Sequence, residues 1–339
     1  MFTVNIVVVG ATGAVGEALI EALDEADFTS GDLYLAASES SVGETKMYKK
    51  RPVLVEDLAS FDFSRVQLAF FAVPEQVSRD CAELVVSAGC QLIDFSACFR
   101  DDPAVPLMVA GVNSHVLEGG ADNLVALPDS LTVDLSHVLY PIHQDVEVVR
   151  LNVATYQAVS SAGQKGIKEL AGQTASLLNG LPVEAEAFAQ QIAFNVIPEV
   201  GGLLDSGHSR AEVGLVGELR CVLEDAALAV SATCVQVPVF YGSCQVVNIE
   251  TRYPYAVDEV ISVLNADEDV NIFSASSNQQ CPAPITVADM AARGCCVGRI
   301  RASIGVENGI DLWIVSDNVR KSAVKNAIAV AKLLLKDSL

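Results

Sequence analysis

The sequence predicts a two-domain α/β protein: a parallel sheet covered by helices, then an α+β domain with a largely antiparallel sheet. The chain has 339 residues, more than one ordinary small domain needs. Its opening stretch alternates short β-branched runs with apolar residues at helical spacing. After about Pro128 the candidate strands lengthen and the regular alternation stops.

Val4–Val9 is β-branched apart from Asn5 and ends in a glycine turn. Ala14–Leu23 follows with its apolar residues on one helical face. Leu33–Ala37, Val66–Ala72 and Gln91–Phe95 read as further strands, with a helix, Gln76–Ala88, between the last two. Apolar strands alternating with helices indicate a parallel sheet covered on both faces. Beyond Pro128, Val146–Thr155, Val230–Pro238, Val246–Arg252 and Asp311–Ser316 are strand candidates separated by irregular segments. Val319–Leu335 closes the chain as an amphipathic helix. The expected division is 1–129 with 318–339 for the first domain, and 130–317 inserted as the second.

Apolar residues make up 51% of the chain, enough to bury a large core and to argue against disorder. With 21 Lys+Arg against 43 Asp+Glu, the formal charge is -22. Such a surface repels nucleic acid and anionic membrane, and an anionic substrate would need its own local arginines or lysines. Nine cysteines without a basic-then-apolar leader point to reduced thiols in a cytoplasmic protein. Adjacent Cys295 and Cys296 lack the spacing of a metal motif. His115, His137, His143 and His208 fall in no ligand spacing with the cysteines, so no metal is expected. No apolar run approaches the roughly twenty residues that span a bilayer.

Gly10-Ala11-Thr12-Gly13-Ala14-Val15-Gly16 lies between the first strand and first helix, where a Rossmann-like domain binds a dinucleotide pyrophosphate. Glycines permit a tight turn and close backbone approach, and the helix N-terminus offers free N–H groups. The spacing is GxxGxxG rather than GxGxxG, so a ligand-free glycine turn is the competing reading. Gly10, Thr12, Gly13, Ala14 and Val15 are the candidate cofactor contacts. At the end of the second strand, Ser38 and Ser41 can donate to a 2′-phosphate, whereas Glu39 would repel one. The expected cofactor is NADP or NAD, held weakly, with NAD less penalised. A Glu39 that simply faces solvent is the alternative.

Beyond Gly10–Gly16, the chain carries in order Ile93–Arg100 (IDFSACFR), Thr155–Gly163 (TYQAVSSAG), Phe194–Pro198 (FNVIP), Val235–Gly242 (VQVPVFYG), Val297–Arg301 (VGRIR), Val306–Gly309 (VENG) and Asp317–Lys321 (DNVRK). In these segments and their order, over nearly its whole length, the sequence resembles the aspartate-semialdehyde dehydrogenase family, and the pattern is nearest to its Usg-type paralogue. The resemblance implies NADP-dependent reduction of aspartyl phosphate to aspartate semialdehyde. In that reaction a cysteine forms a thioester, a histidine moves protons and a glutamine orients the intermediate. Arginines and a lysine bind carboxylate and phosphate. The resemblance also implies a homodimer formed through the second domain, and Asn318 as a cofactor contact.

The chain departs from this pattern where the chemistry lies. The family's Asn-Pro-Asn-Cys-Ser-Thr is Leu127-Pro128-Asp129-Ser130-Leu131-Thr132, so Ser130 replaces the thiol. A hydroxyl is far less acidic and needs a positioned base to attack. The base position, after Gly242, is Ser243. Gln236 stands where an arginine binds the substrate carboxylate, and an amide cannot form that bidentate charged pair. The family's Glu-Glu-x-Lys aligns with Ala211-Glu212-Val213-Gly214, without the lysine. Gln157 and Arg100 remain. Cys98 and Cys244 are candidates for a relocated nucleophile, weighed against the alternative of small buried residues.

These departures leave three functions open. One is a catalytically impaired homologue, a pseudoenzyme, that keeps fold, dimerisation and nucleotide binding. Another is an NAD(P)-dependent oxidoreductase of altered chemistry using hydroxyls of Ser130, Ser243 or Tyr241. The last is a regulatory or structural partner of an active dehydrogenase.

Overall fold

The computed structural model describes residues 4–26, 31–119, 123–273, 281–284 and 294–337. The chain divides into two compact units, Met1–Asp129 with Ala323–Leu339, and Ser130–Ser322.

The first unit runs β1 (Ile6–Val9), α1 (Ala14–Ala26), β2 (Leu33–Ala37), β3 (Thr45–Tyr48), β4 (Arg51–Asp57), β5 (Leu68–Phe71), α2 (Glu75–Ser87), β6 (Gln91–Asp94) and β7 (Leu124–Ala126). Its sheet has the order β3-β4-β2-β1-β5-β6-β7, parallel throughout except for the β3–β4 pair. Every residue of β1 and β5 is buried, as expected of central strands covered on both faces. Val7 and Val9 of β1, Phe71 of β5 and Leu92 of β6 share one core with Phe61 and Phe63. Burying each such side chain contributes about 1.5–3 kcal/mol.

Periodicity alone does not find β3, β4 or β7. The β3–β4 pair sits half exposed and carries Lys46, Arg51, Pro52, Glu56 and Asp57, so its apolar run is only the three residues Val53–Val55. β7 is only three residues long.

The second unit runs α3 (Ser130–Val146), β8 (Val148–Gln157), α4 (Gly163–Leu178), α5 (Arg210–Val222), β9 (Ala229–Gln236), β10 (Ser243–Thr251), α6 (Val257–Leu264), β11 (Val270–Phe273), β12 (Cys295–Ala302) and β13 (Gly309–Ser316). The sheet order is β11-β12-β13-β10-β8-β9. Pairing is antiparallel from β12 through β13 and β10 to β8, and parallel for the outer pairs β11–β12 and β8–β9.

The expected irregular segments are corrected here, since α3, α4, α5 and α6 occupy much of them. α3 escapes pattern recognition because it is buried along most of its length, from Leu131 through Leu139 without a break. A helix buried nearly all round shows no single apolar stripe. The strand expected from Val146 begins at Val148 instead, because Val146 ends α3 and Glu147 turns the chain at φ 54°.

The expected closing helix over Val319–Leu335 is a π-turn, Asn318–Ala323, followed by α7 (Val324–Asp337). The chain re-enters the first unit at Ala323 rather than at Asn318. Asn318 stays with the second unit, where its side-chain oxygen accepts the Gly242 N–H at 3.2 Å. Within the first unit α7 packs on α1. Its buried Asn326 accepts from the Ala110 N–H (2.8 Å) and donates to the Met108 carbonyl (2.9 Å).

Candidate functional site

The glycine turn of the first unit is built around two backbone collisions that only glycine avoids. Gly10 has φ +84°, and a Cβ there would lie 2.2 Å from the Ala72 carbonyl oxygen. A Cβ on Gly16 would lie 2.2 Å from the Gly10 carbonyl oxygen. These glycines are therefore required by packing, whatever binds. Gly13 differs, because a Cβ there would meet only the Gly10 oxygen at 3.4 Å. The Glu17 N–H donates to the Gly13 carbonyl (2.9 Å) and starts the ladder of α1. The earlier helical N–H groups, those of Ala14 and Val15 among them, lie outside that ladder. N–H groups outside the ladder at a helix N-terminus suit a pyrophosphate.

Hydroxyls gather at the end of β2. Thr12 and Ser41 share a hydrogen bond at 3.1 Å, and Ser38 and Ser40 another at 3.0 Å. Glu39 is exposed beside them. Glu39→Arg is expected to improve NADP affinity about tenfold, roughly 1.4 kcal/mol, and to leave NAD affinity unchanged. Calorimetric titration checks this, and equal changes for both nucleotides would contradict it.

Also in the first unit, Arg100 follows β6. One guanidinium nitrogen donates to the Phe95 carbonyl (2.9 Å) and another lies 3.9 Å from an Asp129 carboxylate oxygen. Asp94, fully buried, accepts from the Ser78 and Ser96 hydroxyls, each at 2.6 Å. Burial holds the Asp94 carboxyl above the usual range, opposed by those hydrogen bonds and by Arg100. Burial likewise pushes the Cys98 thiol up, with Arg79 opposing.

In the second unit, one end of the sheet collects the remaining positions. Gln157 ends β8 opposite Gln236 at the end of β9, and Ser243 starts β10 opposite Ser316 at the end of β13. The Gln245 side chain donates to the Leu131 carbonyl (3.1 Å), which fastens the start of α3, and with it Ser130, to this part of β10. Gln236 donates from Nε2 to the Gln157 carbonyl (2.8 Å) and accepts at Oε1 from the Ser161 hydroxyl (3.3 Å). Both ends of its amide are thus engaged within the fold. Gln157 donates to the Thr155 hydroxyl at 3.2 Å. Asn318 bonds to Ser160 as well as to Gly242.

Among the described residues, the cysteine and histidines nearest in sequence to these positions are held otherwise. Burial pushes the Cys244 thiol up to about 12, so it stays protonated at neutral pH. Cys244 packs instead with Cys296 and Val315. Three of the four histidines are engaged elsewhere. His137 lies two turns along α3 from Ser130, roughly 10 Å. His143 accepts the Val148 N–H (3.1 Å), and His208 lies 3.8 Å from Glu212. Glu212 itself closes a capping box with Ser209 at the start of α5 and accepts the Cys234 N–H (3.0 Å).

Two groupings carry no signal in sequence spacing. The buried Asp134 carboxylate accepts from the Ser316 and Ser322 hydroxyls. His137 meets Asp267 and Asp269, which come from a turn more than a hundred residues later. Among the described residues, no helix is long and apolar enough to cross a membrane.

Comparison with known proteins agrees in both halves of the chain. Residues 5–119 match the family described as "Semialdehyde dehydrogenase, NAD binding domain", and residues 139–321 match "Semialdehyde dehydrogenase, dimerisation domain". The chain is 40% identical over 335 residues to the Vibrio cholerae protein named "Aspartate-semialdehyde dehydrogenase 2", covering 98% of each. It is 38% identical over 333 residues to a "USG-1 protein homolog" of Pseudomonas aeruginosa, again covering 98% of each. Among solved structures, aspartate semialdehyde dehydrogenase II from Vibrio cholerae, complexed with ASA, superposes with a TM-score of 0.95 at 40% identity, covering 100% of both chains. A probable aspartate-semialdehyde dehydrogenase from Pseudomonas aeruginosa superposes with a TM-score of 0.92 at 38% identity, covering 99% of this chain and 100% of that one.

Proposed function

From the premise that the chain belongs to the semialdehyde dehydrogenase family, with that family's NAD binding and dimerisation domains, we propose that it binds a nicotinamide nucleotide but no longer performs the family's acyl-phosphate reduction. The observation that carries this reading is the state of one sheet end. It holds Ser130, Ser243 and a Gln236 whose amide is already engaged by Ser161 and the Gln157 backbone.

Each change removes a separate requirement of the chemistry. Ser130 has a hydroxyl where a thiolate must attack, and Ser243 cannot take its proton as an imidazole would. The relocated-nucleophile candidates, Cys98 and Cys244, both have thiols held up by burial, the opposite of activation. Gln236 offers no charge for a substrate carboxylate, and the lysine expected near Val213 is absent at Gly214. When bound, a nicotinamide ring exchanges hydride, but these residues prepare no thioester for it.

The nucleotide turn supports the binding half of the reading. The Gly13, Ala14 and Val15 backbone is assigned to the pyrophosphate, and Thr12, Ser38 and Ser41 to the adenosine side, with Gly10 shaping the turn. Asn318 is retained as a candidate nucleotide contact. Arg100, drawn toward Asp129, is retained as a candidate anion contact. The dimerisation-domain match supports a homodimer.

The test is steady-state, phosphate-dependent oxidation of aspartate semialdehyde with NADP or NAD. Loss of a catalytic unit costs on the order of 10⁴–10⁶ in rate. Turnover is therefore expected at least about 10⁴-fold below an ordinary enzyme's roughly 1–1,000 per second. A rate within that ordinary range would overturn the reading.

A further inference from the structure

We propose that His137, Asp267 and Asp269 form a binding site for a divalent transition-metal ion of the zinc type. The site lies wholly within the second unit and is independent of the reaction discussed above. His137 comes from α3, and the two aspartates from the turn between α6 and β11. One ligand atom from each residue lies within 4.8 Å of the others.

The donor set and spacing suit such an ion. The His137 Nδ1 lies 3.0 Å from an Asp267 carboxylate oxygen, and its Nε2 lies 3.9 Å from an Asp269 oxygen. Zinc holds imidazole nitrogen and carboxylate oxygen at about 2.0–2.2 Å, which puts neighbouring ligands roughly 3 Å apart. An ion on Nδ1 finds the Asp267 oxygen at that spacing, whereas Asp269 makes its 3.9 Å approach to the other ring nitrogen and has to close in from within 4.8 Å to join them. An imidazole among carboxylates favours zinc, manganese or iron over magnesium or calcium, which prefer oxygen alone.

The ligands are also held in place. The other Asp267 oxygen accepts the Asp269 N–H at 2.7 Å, which turns its partner oxygen toward the imidazole. The Asp269 carbonyl accepts the Cys295 N–H at 2.9 Å and ties the turn to β12. His137 is buried on the α3 side, whereas the carboxylate side chains remain 26% and 29% exposed. An ion can therefore enter from the carboxylate side and fasten α3, the helix that begins at Ser130, to the turn leading into β11.

The test uses the full chain, freed of any affinity tag and treated with chelator, then titrated with zinc chloride by calorimetry. Thermal unfolding with and without zinc accompanies the titration. The expected result is saturable binding of one equivalent and a raised melting temperature.

His137→Ala and the near-isosteric Asp269→Asn should each weaken zinc at least about tenfold, by analogy with the outer-shell losses at known sites. Asp269→Asn keeps the test valid should His137→Ala fail to fold. Absence of saturable binding would overturn the site. So would zinc affinity unchanged in Asp269→Asn, which would assign the binding to scattered surface carboxylates.

Discussion

Gly10→Ala is expected to destabilise the first unit by about 3 kcal/mol or more, and to abolish nucleotide binding with it. The added Cβ would lie 2.2 Å from the Ala72 carbonyl oxygen, 2.9 Å from its carbon and 3.0 Å from a Val73 methyl. Neither side of the clash is free to yield. The Gly10 N–H donates to the Ala36 carbonyl at 2.8 Å, and the Ala72 N–H to the Val9 carbonyl at 2.9 Å. The left-handed backbone at φ +84° adds strain of about 1–3 kcal/mol for a non-glycine residue. Against a total stability of about 5–15 kcal/mol, such a loss is severe. Gly13→Ala is the control, since its Cβ has room and should change stability by no more than about 0.5 kcal/mol. It should still weaken the nucleotide about tenfold if the pyrophosphate approaches that backbone closely. Denaturant unfolding and calorimetry check both variants, and an unaltered midpoint for Gly10→Ala would contradict the packing argument.

Restoring the family's chemical groups is expected to work only in combination. Ser130→Cys alone should raise turnover by no more than about tenfold, because the new thiol has no base and the substrate has no anchor. Adding Ser243→His and Gln236→Arg together should raise it at least about 10³-fold over the unaltered chain, since groups acting as one unit are strongly non-additive. The gain comes with a loss of stability. Ser243 and Gln236 are each only 3% exposed, so a larger ring and a buried charge both strain the sheet end. Turnover and melting temperature measured on the same preparations test this. Ordinary turnover from Ser130→Cys alone would show that base and anchor had never been lost.

The parts of the fold legible in the sequence are those specified by local pattern. β1, its glycine turn and α1 are readable because an apolar β-branched run, a turn motif and a helical stripe follow in order. The departures proposed at Ser130, Ser243 and Gln236 are equally legible, since each is a single letter within a motif of the resemblance. Their consequences are not. That the Gln236 amide is engaged depends on a hydrogen bond to Gln157, 79 residues earlier in the chain, and on Ser161. Likewise α3 hides its helical period by being buried along most of its length. The half-exposed β3–β4 pair has only the short apolar run Val53–Val55, and Asp134 and His137 look like ordinary helix residues until the fold supplies their partners. Distant pairing, rather than local propensity, decides the partners of Gln236, Asp134 and His137.

The central claim concerns chemistry at Ser130, and a single-turnover experiment addresses it most directly. Chain in molar excess over aspartate semialdehyde is mixed with phosphate and NADP or NAD, then quenched for intact-mass analysis while reduced nucleotide is followed by absorbance. The expected result is nucleotide binding without reduction and no acyl adduct on the chain. Reduced nucleotide formed stoichiometrically with substrate, together with an ester mapped to Ser130, would contradict the claim.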